Sequence, residues 1–478
     1  MKAEFARNIP NIKQLCSLCE GRMAGNWDEK SLTTRVDFVC TDSREASVGG
    51  AFAAIRGAKV DGHKFISRAG ACGAVCAIAE EVPEDAADLP IIIVDDTVKA
   101  LGRLGVNYSR DLDVVTVGVT GSVGKSTTKE FIASVLSVKY KVFRTEGNFN
   151  SVIGMPLSML TIPADTECAV IEMGMGEAGD VGFMSRLAKP RIAVITNIGT
   201  SHLESLGSRE NIARAKLEIA EGLAENGTLL LCGGEPLLAG VGDNDERAAY
   251  FSAEDKKSDY CASGIRTDSA GTVFDAYCRG KIISDLEISV QGMHNVANAM
   301  AAVAVGSVLG LDGDSIRRGL NLYCPMRMRQ QMLDVEGVTL MVDCYNASPE
   351  SMRAACDVMS QNVAAGGRRI AVLGDMLELG ENSPEYHRLT GEYFARAGVE
   401  FLFSFGERAE KIADGYEAVS KDGNCVRHTD TSDESAETLA AEIVKTVRPG
   451  DVVLLKASRL IRAERLVDLI SRILREGR

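Results

Sequence analysis

The stretch 117-VGVTGSVGKSTTKEF-131 is the most informative part of the sequence for the architecture of the central region. The apolar run 113-DVVTVGVT-120 predicts a buried strand, and 126-STTKEFIASVL-136 predicts a helix. A glycine-rich turn between a strand and a helix is the setting of a phosphate-binding P-loop, because backbone N–H groups and the helix N-terminus then point at phosphate oxygens. The usual spacing needs glycine at 119, yet Val119 stands there, and the glycines are Gly118 and Gly121.

The other residues of this loop suit a phosphate site. Gly121 and Gly124 let the backbone turn without a Cβ clash. Lys125 supplies a mobile cation for the outer phosphates of ATP or GTP, and Ser126 supplies a hydroxyl suited to Mg²⁺. The alternative is a glycine-rich turn with a surface lysine. The strand before the loop and the helix after it favour the P-loop.

Outward from the loop, the hydrophobic pattern predicts an α/β protein of three domains. Residues 1–98 mix short strand-like runs with turn signals and predict a small α/β domain. Residues 99–325 alternate apolar runs, such as 168-CAVIEMG and 191-RIAVITNIG, with helical patterns, which is typical of βαβ units in a parallel sheet. Residues 326–478 repeat this alternation and predict a Rossmann-like, doubly wound domain.

Three further segments of the central region have distinct patterns. A single helix is predicted over 209-RENIARAKLEIAEGLA-224, and another over 294-HNVANAMAAVAVGSVLG-310. Residues 265–290 contain shorter strand-like runs, which predict an antiparallel appendage.

Composition limits the classes of function. The chain has 478 residues, 45% of them hydrophobic and 25% charged, which is ordinary for a globular protein. A net charge of −14 argues against a nucleic-acid or anionic-membrane surface, because phosphate contacts need clustered Lys and Arg. The N-terminal residues lack an apolar signal region, and no stretch reaches a membrane span. We therefore expect a soluble, cytoplasmic chain without membrane insertion.

The thirteen cysteines are scattered among apolar neighbours, which predicts reduced core residues rather than disulfides. Cys16 and Cys19 form one CxxC motif, but no second pair at zinc spacing accompanies it. Packing thiols are the favoured interpretation, with a metal or redox role as the alternative.

Polar residues follow several predicted strands, where an α/β sheet binds its ligands. Glu172 ends an apolar run, so it is either a metal ligand beside the loop or a solvated acid at a strand end. His202 is either a metal ligand or a hydrogen-bonded loop residue, and Lys216 has the pattern of a solvated helix face. The pattern alone decides neither. Further polar residues at strand ends are Asn197, Asp343, Asp375 and Lys456.

In their order and spacing, several segments together resemble the ATP-dependent Mur ligases of peptidoglycan synthesis. These segments are 118-GVTGSVGKST, 148-NFNSVIGMPLSML, 171-IEMGMGEAGDV, 195-ITNIGTSHLESLGSRENIARAKLEI, 292-GMHNVANAMAA and 342-VDCYNASPESM. The loop of that family is GxxGxxGK[ST], which Gly118, Gly121, Gly124, Lys125 and Ser126 match. The resemblance thus makes Val119 part of the family's own form of the loop.

The resemblance implies roles for particular residues. ATP contacts are implied for Thr120, Gly121, Ser122, Val123, Gly124, Lys125, Ser126, Thr127, Asn295 (at the adenine), Arg327 (near the outer phosphates), Asp343, Tyr345 and Asn346. Two Mg²⁺ ions are implied, with Ser126, Glu172, His202 and Lys216 as the metal-binding residues and Lys125, Glu172, His202 and Lys216 as the catalytic set. Lys216 matches the lysine that family members carry as a carbamate.

The resemblance also implies substrates. The segment 41-TDSREASVGGAFAAIRGAKVDGHKFISRA-69 resembles the family's UDP-sugar-binding segments, which implies substrate contacts for Ser43, Arg44, Asp61, Gly62 and His63. The segment 373-LGDMLELGENSPEYH-387 is similar to one in members that add D-alanyl-D-alanine, and the DNPR motif of diaminopimelate addition is absent. The implied activity is ligation of D-Ala-D-Ala to UDP-MurNAc-tripeptide through an acyl phosphate, by a monomer in the cytoplasm.

Two departures and three alternatives accompany this hypothesis. The segment 455-LKASRLIRAE has alanine and leucine where the family shows glycine, and Ser348 stands where asparagine is usual. A regulatory ATPase would explain the loop but not the UDP-like segment. Folylpolyglutamate synthetase shares the loop but not TDSR, DGH or GDMLELG. Another Mur ligase, adding a single amino acid, is the closer alternative.

Overall fold

The structure, a computed structural model, describes residues 1–25, 27–84, 89–420 and 423–477. It is a mixed α/β fold with three sheets, which confirms the predicted class. The strands of the sheets lie within Lys2–Ile93, Val115–Ile288 and Gln331–Lys456, one sheet after another along the chain. The domain limits at 98/99 and 325/326 stay predictions.

The first sheet has six strands in the order β1-β3-β4-β5-β6-β2, with a parallel centre and antiparallel edges. Helices α1 and α4 pack on one face, and α3 packs on the other, so alternate residues of each strand enter two separate cores. The elements are β1 (Lys2–Glu4), α1 (Ile12–Leu18), β2 (Arg22–Gly25), α2 (Glu29–Leu32), β3 (Phe38–Cys40), β4 (Gly50–Ala53), α3 (Ile66–Ala71), β5 (Cys76–Ala79), β6 (Pro90–Ile93) and α4 (Thr97–Ser109), with a 3₁₀ helix at Gly62–Phe65.

The second sheet has nine strands in the order β15-β14-β13-β12-β11-β10-β7-β9-β8. Strand β7 pairs in parallel with β9, and the P-loop follows β7 directly. The elements are β7 (Val115–Thr120), α5 (Lys125–Ser137), β8 (Val142–Arg144), α6 (Gly154–Leu160), β9 (Cys168–Glu172), α7 (Asp180–Ala188), β10 (Ile192–Ile195), α8 (Leu203–Leu206), α9 (Arg209–Leu217), β11 (Thr228–Cys232), β12 (Ala248–Ser252), β13 (Tyr260–Asp268), β14 (Gly271–Cys278), β15 (Lys281–Ile288), α10 (Met293–Val308) and α11 (Gly313–Asn321).

The third sheet has six strands in the order β16-β17-β21-β18-β19-β20, parallel except for β16. Helices α15 and α16 cover one face, and α12, α13 and α14 cover the other, as the doubly wound prediction requires. The elements are β16 (Gln331–Val335), β17 (Val338–Val342), α12 (Pro349–Gln361), β18 (Arg369–Gly374), α13 (Ser383–Arg396), β19 (Phe401–Phe405), α14 (Glu410–Val419), β20 (Asn424–His428), α15 (Asp433–Thr446), β21 (Val452–Lys456) and α16 (Glu464–Glu476), with 3₁₀ helices at Gly380–Asn382 and Arg459–Ile461.

The chain groups into two compact units that do not follow the sheets. The first unit consists of Met1–Thr120, Lys139–Val194 and Ala215–Leu229. The second unit consists of Gly121–Val138, Ile195–Arg214 and Leu230–Arg478. The P-loop after Thr120, the loop after β10 and the whole third sheet therefore belong to the second unit.

The helix predicted over 209–224 is wrong in its second half. Helix α9 ends at Leu217, and Glu218–Gly222 is a 3₁₀ helix. The Glu218 carboxylate accepts hydrogen bonds from the backbone N–H groups of Gly179 and Gly182, at the start of α7. A Cβ on Gly222 would lie 2.0 Å from the Ser185 carbonyl oxygen. The close approach of α7 thus overrides the local helical pattern.

The appendage predicted over 265–290 is a set of antiparallel strands, but it is not separate from the sheet. Strands β13, β14 and β15 pair antiparallel with one another, while β13 pairs in parallel with β12. They therefore extend the second sheet to its edge at β15.

The structure favours packing roles for Cys16 and Cys19, whereas Cys72 and Cys324 are exposed and do not fit the prediction of core residues. Cys16 and Cys19 lie in the core between α1 and the first sheet, and burial raises the pKa of both thiols. Across the described ranges, no three His, Cys, Asp or Glu side chains form a group that could hold a metal ion. Within those same ranges, no helix combines the length and apolar character of a membrane span.

Candidate functional site

The P-loop is held in shape by the two residues that follow β10. Asn197 uses its side chain on both backbone groups of Val123: Oδ1 accepts from the N–H, and Nδ2 donates to the carbonyl, each at 2.9 Å. The Thr196 hydroxyl donates to the same carbonyl at 2.6 Å. Fixed backbone orientation is what a loop needs if its N–H groups are to bind phosphate oxygens.

The three glycines of the loop have two different functions. Gly121 has φ +148°, and a Cβ there would lie 1.9 Å from Thr196 Oγ1. Gly124 has φ +82°, and a Cβ would lie 2.6 Å from Asn298 Oδ1. Gly118, in contrast, lies inside β7, where a Cβ would approach Met173 Cε to 3.1 Å. Two glycines therefore shape the turn, while the displaced one allows close packing behind it.

The lysine and serine of the loop begin helix α5. The Lys125 ammonium donates to the carbonyls of Gly121 and Ser122 at 2.8 and 3.2 Å, which keeps the cation over the loop. Ser126 is buried, and its hydroxyl accepts a hydrogen bond from Nη2 of Arg329 at 3.0 Å. The Arg329 guanidinium also lies over the Tyr345 ring. Arg327, the arginine that the sequence singled out, is exposed.

Helix α10 adds two buried amides next to the loop. The Thr128 hydroxyl donates to Asn298 Oδ1, and Asn298 Nδ2 lies 3.4 Å from Asn295 Oδ1. Asn295 Nδ2 donates to Gln330 Oε1 at 2.8 Å, and Gln330 Nε2 contacts Nε2 of His294. Desolvation lowers the pKa of His294. A continuous row of polar groups thus leads from the loop to the segment after α11.

The far end of this row, at Gln330, meets the third sheet at the ends of β17 and β21. The Gln330 backbone N–H donates to Asp343 Oδ1 at 3.4 Å. The buried Lys456 ammonium donates to Asp343 Oδ2 at 2.5 Å and to the Asn346 carbonyl at 3.0 Å. The ATP-side residues predicted in the C-terminal domain, Asp343, Tyr345 and Asn346, are therefore brought together with the P-loop within the second unit.

His202 lies in the loop after β10 and contacts an acid that the sequence reasoning missed. Its Nδ1 is 3.1 Å from Glu378 Oε2, and this hydrogen bond holds the pKa of the Glu378 carboxyl below its ordinary value. In the same loop, Thr200 donates to Glu350 through its backbone N–H and its hydroxyl. The His202 ring is thus held through Nδ1, with Nε2 on the far side of the ring.

Glu172 and Lys216 belong to the first unit, and both are buried. The Glu172 side chain is 2% exposed at the end of β9, and Oε1 accepts from Asn150 Nδ2 at 2.8 Å. Its backbone N–H donates to the Thr145 hydroxyl. Lys216 is 1% exposed near the end of α9, so its side chain does not belong to the solvated face that the pattern suggested. A solvated strand-end acid is likewise the wrong description of Glu172.

Three of the residues predicted to bind the UDP substrate, Asp61, Gly62 and His63, lie at the 3₁₀ helix Gly62–Phe65. Asp61 caps that helix and accepts from Nδ1 of His63 at 2.7 Å, while His63 Nε2 accepts from the Glu80 backbone N–H. Both ring nitrogens of His63 are used inside the fold. Gly62 is required by packing, since a Cβ would lie 2.7 Å from the Ile55 nitrogen.

Ser43 and Arg44 lie in the turn after β3. Ser43 is buried, whereas the exposed Arg44 side chain pairs with Asp42 at 2.6 Å. Substrate contacts for Ser43, Arg44, Asp61, Gly62 and His63 stay predictions.

Several residues of the second unit were missed from sequence, because their local signals are faint or absent. Asn298 follows Asn295 by one helical turn in an otherwise apolar helix, a spacing that places both on one face. Arg329 is the second arginine of 325-PMRMRQQ, and nothing local distinguishes it from Arg327. Glu378 lies inside the segment 373–387, which the sequence analysis used for substrate choice rather than for chemistry.

Comparisons with family models cover most of the chain. A model described as Mur ligase family, catalytic domain, matches residues 35–108. The Mur ligase middle domain model matches residues 119–306, and the Mur ligase, glutamate ligase domain model matches residues 327–459.

Comparisons with individual proteins give full-length matches. The chain is 36% identical over 466 residues to the UDP-N-acetylmuramoyl-tripeptide–D-alanyl-D-alanine ligase of Bacillus subtilis (strain 168), covering 96% of this chain and 98% of the relative. It is similar in fold to MurF from Acinetobacter baumannii, with a TM-score of 0.86, 28% identity, and coverage of 98% and 100%. MurF ligase from Thermotoga maritima in complex with ADP matches with a TM-score of 0.80, 29% identity, and coverage of 95% and 100%.

Proposed function

Because this chain belongs to the Mur ligase family, we propose that it is the ATP-dependent ligase that joins D-alanyl-D-alanine to UDP-N-acetylmuramoyl-tripeptide in peptidoglycan precursor synthesis. The observation that carries the proposal is the P-loop together with its row of polar contacts, which joins Ser126, Asn295 and Asp343 within one compact unit. A nucleotide-binding loop alone would not require polar partners such as Asn295 on α10 and Asp343 after β17. Full-length similarity to a ligase with this named activity supports the choice of substrates.

ATP is the nucleotide of the proposal. The backbone N–H groups of residues 121–127 and the N-terminus of α5 bind its phosphates, with Lys125 as the mobile cation. A cavity of about 260 Å³ is lined by Gln291 and Gln330, the two residues that accept hydrogen bonds from Asn295. We assign the adenine to this cavity, beside Asn295, because amide groups can read the polar edge of a base.

The reaction is activation of a carboxylate by phosphoryl transfer. The terminal carboxylate of the tripeptide attacks the γ-phosphorus of ATP, ADP leaves, and an acyl phosphate forms. The free amine of D-Ala-D-Ala then attacks the acyl carbon, and the tetrahedral intermediate collapses to an amide and inorganic phosphate. Lys125 and Arg329 lie at the loop where negative charge moves during the first step, and fixed positive charge there lowers the barrier.

The metal-binding residues of the proposal are Ser126, Glu172, His202 and Lys216. Glu172 and Ser126 each fit Mg²⁺ by donor chemistry, since a carboxylate and a hydroxyl are hard oxygen donors. Two Mg²⁺ ions, when bound, would neutralise phosphate charge during transfer. Lys216 would join this set only as a carbamate, because an ammonium repels a cation whereas its CO₂ adduct is a carboxylate. Its 1% exposure is compatible with a carbamate shielded from hydrolysis.

The remaining parts of the proposal concern the UDP substrate, the compartment and the assembly. Ser43, Arg44, Asp61, Gly62 and His63 line or shape the part of the first sheet that we assign to the UDP-sugar. The two ring contacts of His63 also hold the loop that carries these residues. We further propose a cytoplasmic monomer. Light scattering of the purified chain with and without nucleotide tests the assembly state.

A phosphate-release assay tests the function. A panel of UDP-muramoyl peptides is crossed with D-Ala-D-Ala and with single amino acids, each in the presence of ATP and Mg²⁺. The proposal requires phosphate release only when UDP-tripeptide and the dipeptide are both present. Turnover with one amino acid but not with the dipeptide would identify a different Mur ligase, and hydrolysis independent of both substrates would indicate a regulatory ATPase.

A further inference from the structure

Two carboxylates from the segment that contains the third sheet accept hydrogen bonds from the loop after β10. Glu350, in the first turn of α12, accepts from the Thr200 backbone N–H at 2.9 Å and from the Thr200 hydroxyl at 3.2 Å. Glu378, in the loop after β18, accepts from Nδ1 of His202 at 3.1 Å. One carboxylate therefore fixes the loop backbone, and the other fixes the histidine ring.

His202 and Glu378 share an uncommon backbone conformation. His202 has φ +66° and Glu378 has φ +64°, both in the left-handed region that residues with a Cβ seldom adopt. Such conformations persist only where the surrounding contacts determine them, and they concentrate at functional sites. A backbone hydrogen bond from Glu204 N–H to the Glu378 carbonyl ties the two turns together at 3.3 Å.

The loop that carries Glu378 is anchored on its other side as well. The Met376 N–H donates to Nε2 of the buried His387 at 3.0 Å, and the Leu377 N–H donates to the Ser458 hydroxyl at 3.0 Å. These two bonds hold the residues that immediately precede Glu378. The Glu378 side chain is 61% exposed, but its carboxylate is presented to His202 from a backbone that these bonds hold in place.

A carboxylate on Nδ1 has a definite chemical consequence for the imidazole. It accepts the Nδ1 proton and so selects the tautomer in which Nε2 is unprotonated. An unprotonated Nε2 with a fixed ring plane is what a metal-binding histidine needs. We propose that Glu378 is a positioning residue, which sets the tautomer and orientation of His202 for the divalent cation. This inference rests on the metal role given to His202 in the proposed function.

The first experiment measures the tautomer directly and needs neither substrate nor metal. The chain has only five histidines, so long-range ¹H–¹⁵N spectra of ¹⁵N-histidine-labelled protein resolve each ring, and His202→Gln assigns the signal of His202. We expect the Nδ1–H tautomer in the unmodified protein. Glu378→Ala should shift His202 towards the Nε2–H tautomer. Glu378→Gln keeps an acceptor without charge and should give an intermediate result.

The second experiment measures cation affinity without turnover. Mn²⁺ binding in the presence of ADP is followed by the loss of the free-ion electron paramagnetic resonance signal. Glu378→Ala should weaken Mn²⁺ binding by about 10- to 100-fold, the usual effect of losing the partner of a metal-binding histidine. Glu381→Gln is the matched control, because this exposed acid lies three residues away and removes the same charge. It should leave both the tautomer and the affinity unchanged.

The outcomes separate this inference from the proposed function. An unchanged His202 tautomer in Glu378→Ala, or an equal loss of Mn²⁺ affinity in Glu381→Gln, overturns the positioning role. A protein that shows the expected tautomer shift but binds no Mn²⁺ with ADP retains the contact between Glu378 and His202 while refuting the metal role of the histidine. Loss of ligase activity alone would not test the inference, so the His202 tautomer and the Mn²⁺ affinity must both be measured.

Discussion

Arg329 Nη2 donates a hydrogen bond to the hydroxyl of Ser126 across 3.0 Å, so an arginine after α11 contacts the first turn of helix α5. Arg327, two residues earlier, is exposed. The two side chains carry the same charge on the same segment, which makes each a control for the other.

Replacing Arg329 should weaken ATP binding. Because a hydrogen bond to a charged group contributes about 1.5–3 kcal/mol, Arg329→Ala should raise the KM for ATP by about 10- to 100-fold. Arg327→Ala should change it far less. Steady-state kinetics at saturating UDP-tripeptide and D-Ala-D-Ala measure both variants. A larger effect from Arg327→Ala would mean that the ATP-bound protein uses the arginine implied by family resemblance.

A side chain at Gly121 should disrupt the P-loop. Gly121→Ala places a Cβ 1.9 Å from Thr196 Oγ1 in a left-handed backbone, so strain and overpacking should lower the free energy of unfolding by about 1–3 kcal/mol and abolish ADP binding. Thermal unfolding and calorimetric titration with ADP measure these effects. Gly240→Ala is the control, since its Cβ would meet nothing within 4 Å. Normal ADP affinity in Gly121→Ala would contradict the loop geometry.

Lys216 should be needed as a carboxylate rather than as a cation. Lys216→Ala should lose ligase activity, and added short carboxylic acids should restore part of it by replacing the carbamate. Protein equilibrated with ¹³CO₂ should show a carbamate ¹³C signal that Lys216→Ala lacks. Lys257→Ala, on an exposed turn, should retain both the signal and the activity. Full activity of untreated Lys216→Ala would remove Lys216 from the site.

The buried His387 should make stability fall in mild acid. Desolvation lowers its pKa from the ordinary 6.5, and Nε2 already accepts the Met376 N–H, so protonation is unfavourable in the folded state. The unfolded chain then binds the proton first. The stabilisation is present above about pH 6.5 and is lost as the pH falls towards the folded-state pKa, with a slope of at most about 1.4 kcal/mol per pH unit.

Urea unfolding at pH 7.5 and pH 5.5 measures this contribution. The difference between the two midpoints should be larger in the unmodified protein than in His387→Gln, which has no proton to gain. His428→Gln removes a histidine that contacts Glu442 instead and should keep the full difference. Equal pH sensitivity of the unmodified protein and His387→Gln would show that other groups cause the loss of stability in acid.

Much of the fold could be predicted because its signals are local. The runs 113–120, 168–174 and 191–199 contain the observed strands β7, β9 and β10, and the predicted helix after the P-loop is α5. The same local reasoning was wrong at 218–224, where Glu218 turns to cap α7 instead of continuing α9. A periodic pattern cannot register a helix that approaches from another part of the chain.

The candidate site likewise has features that the sequence predicts and features that depend on tertiary contacts. The P-loop, its two turn-forming glycines and the family could be read from the sequence, because these depend on residue types at fixed spacing along a few continuous segments. The tertiary structure alone decided that Arg329 rather than Arg327 contacts Ser126, that Asn298 lies against Gly124, and that Glu378 meets His202. Those choices depend on the distances between side chains far apart in the chain, which only the packed sheets and helices fix.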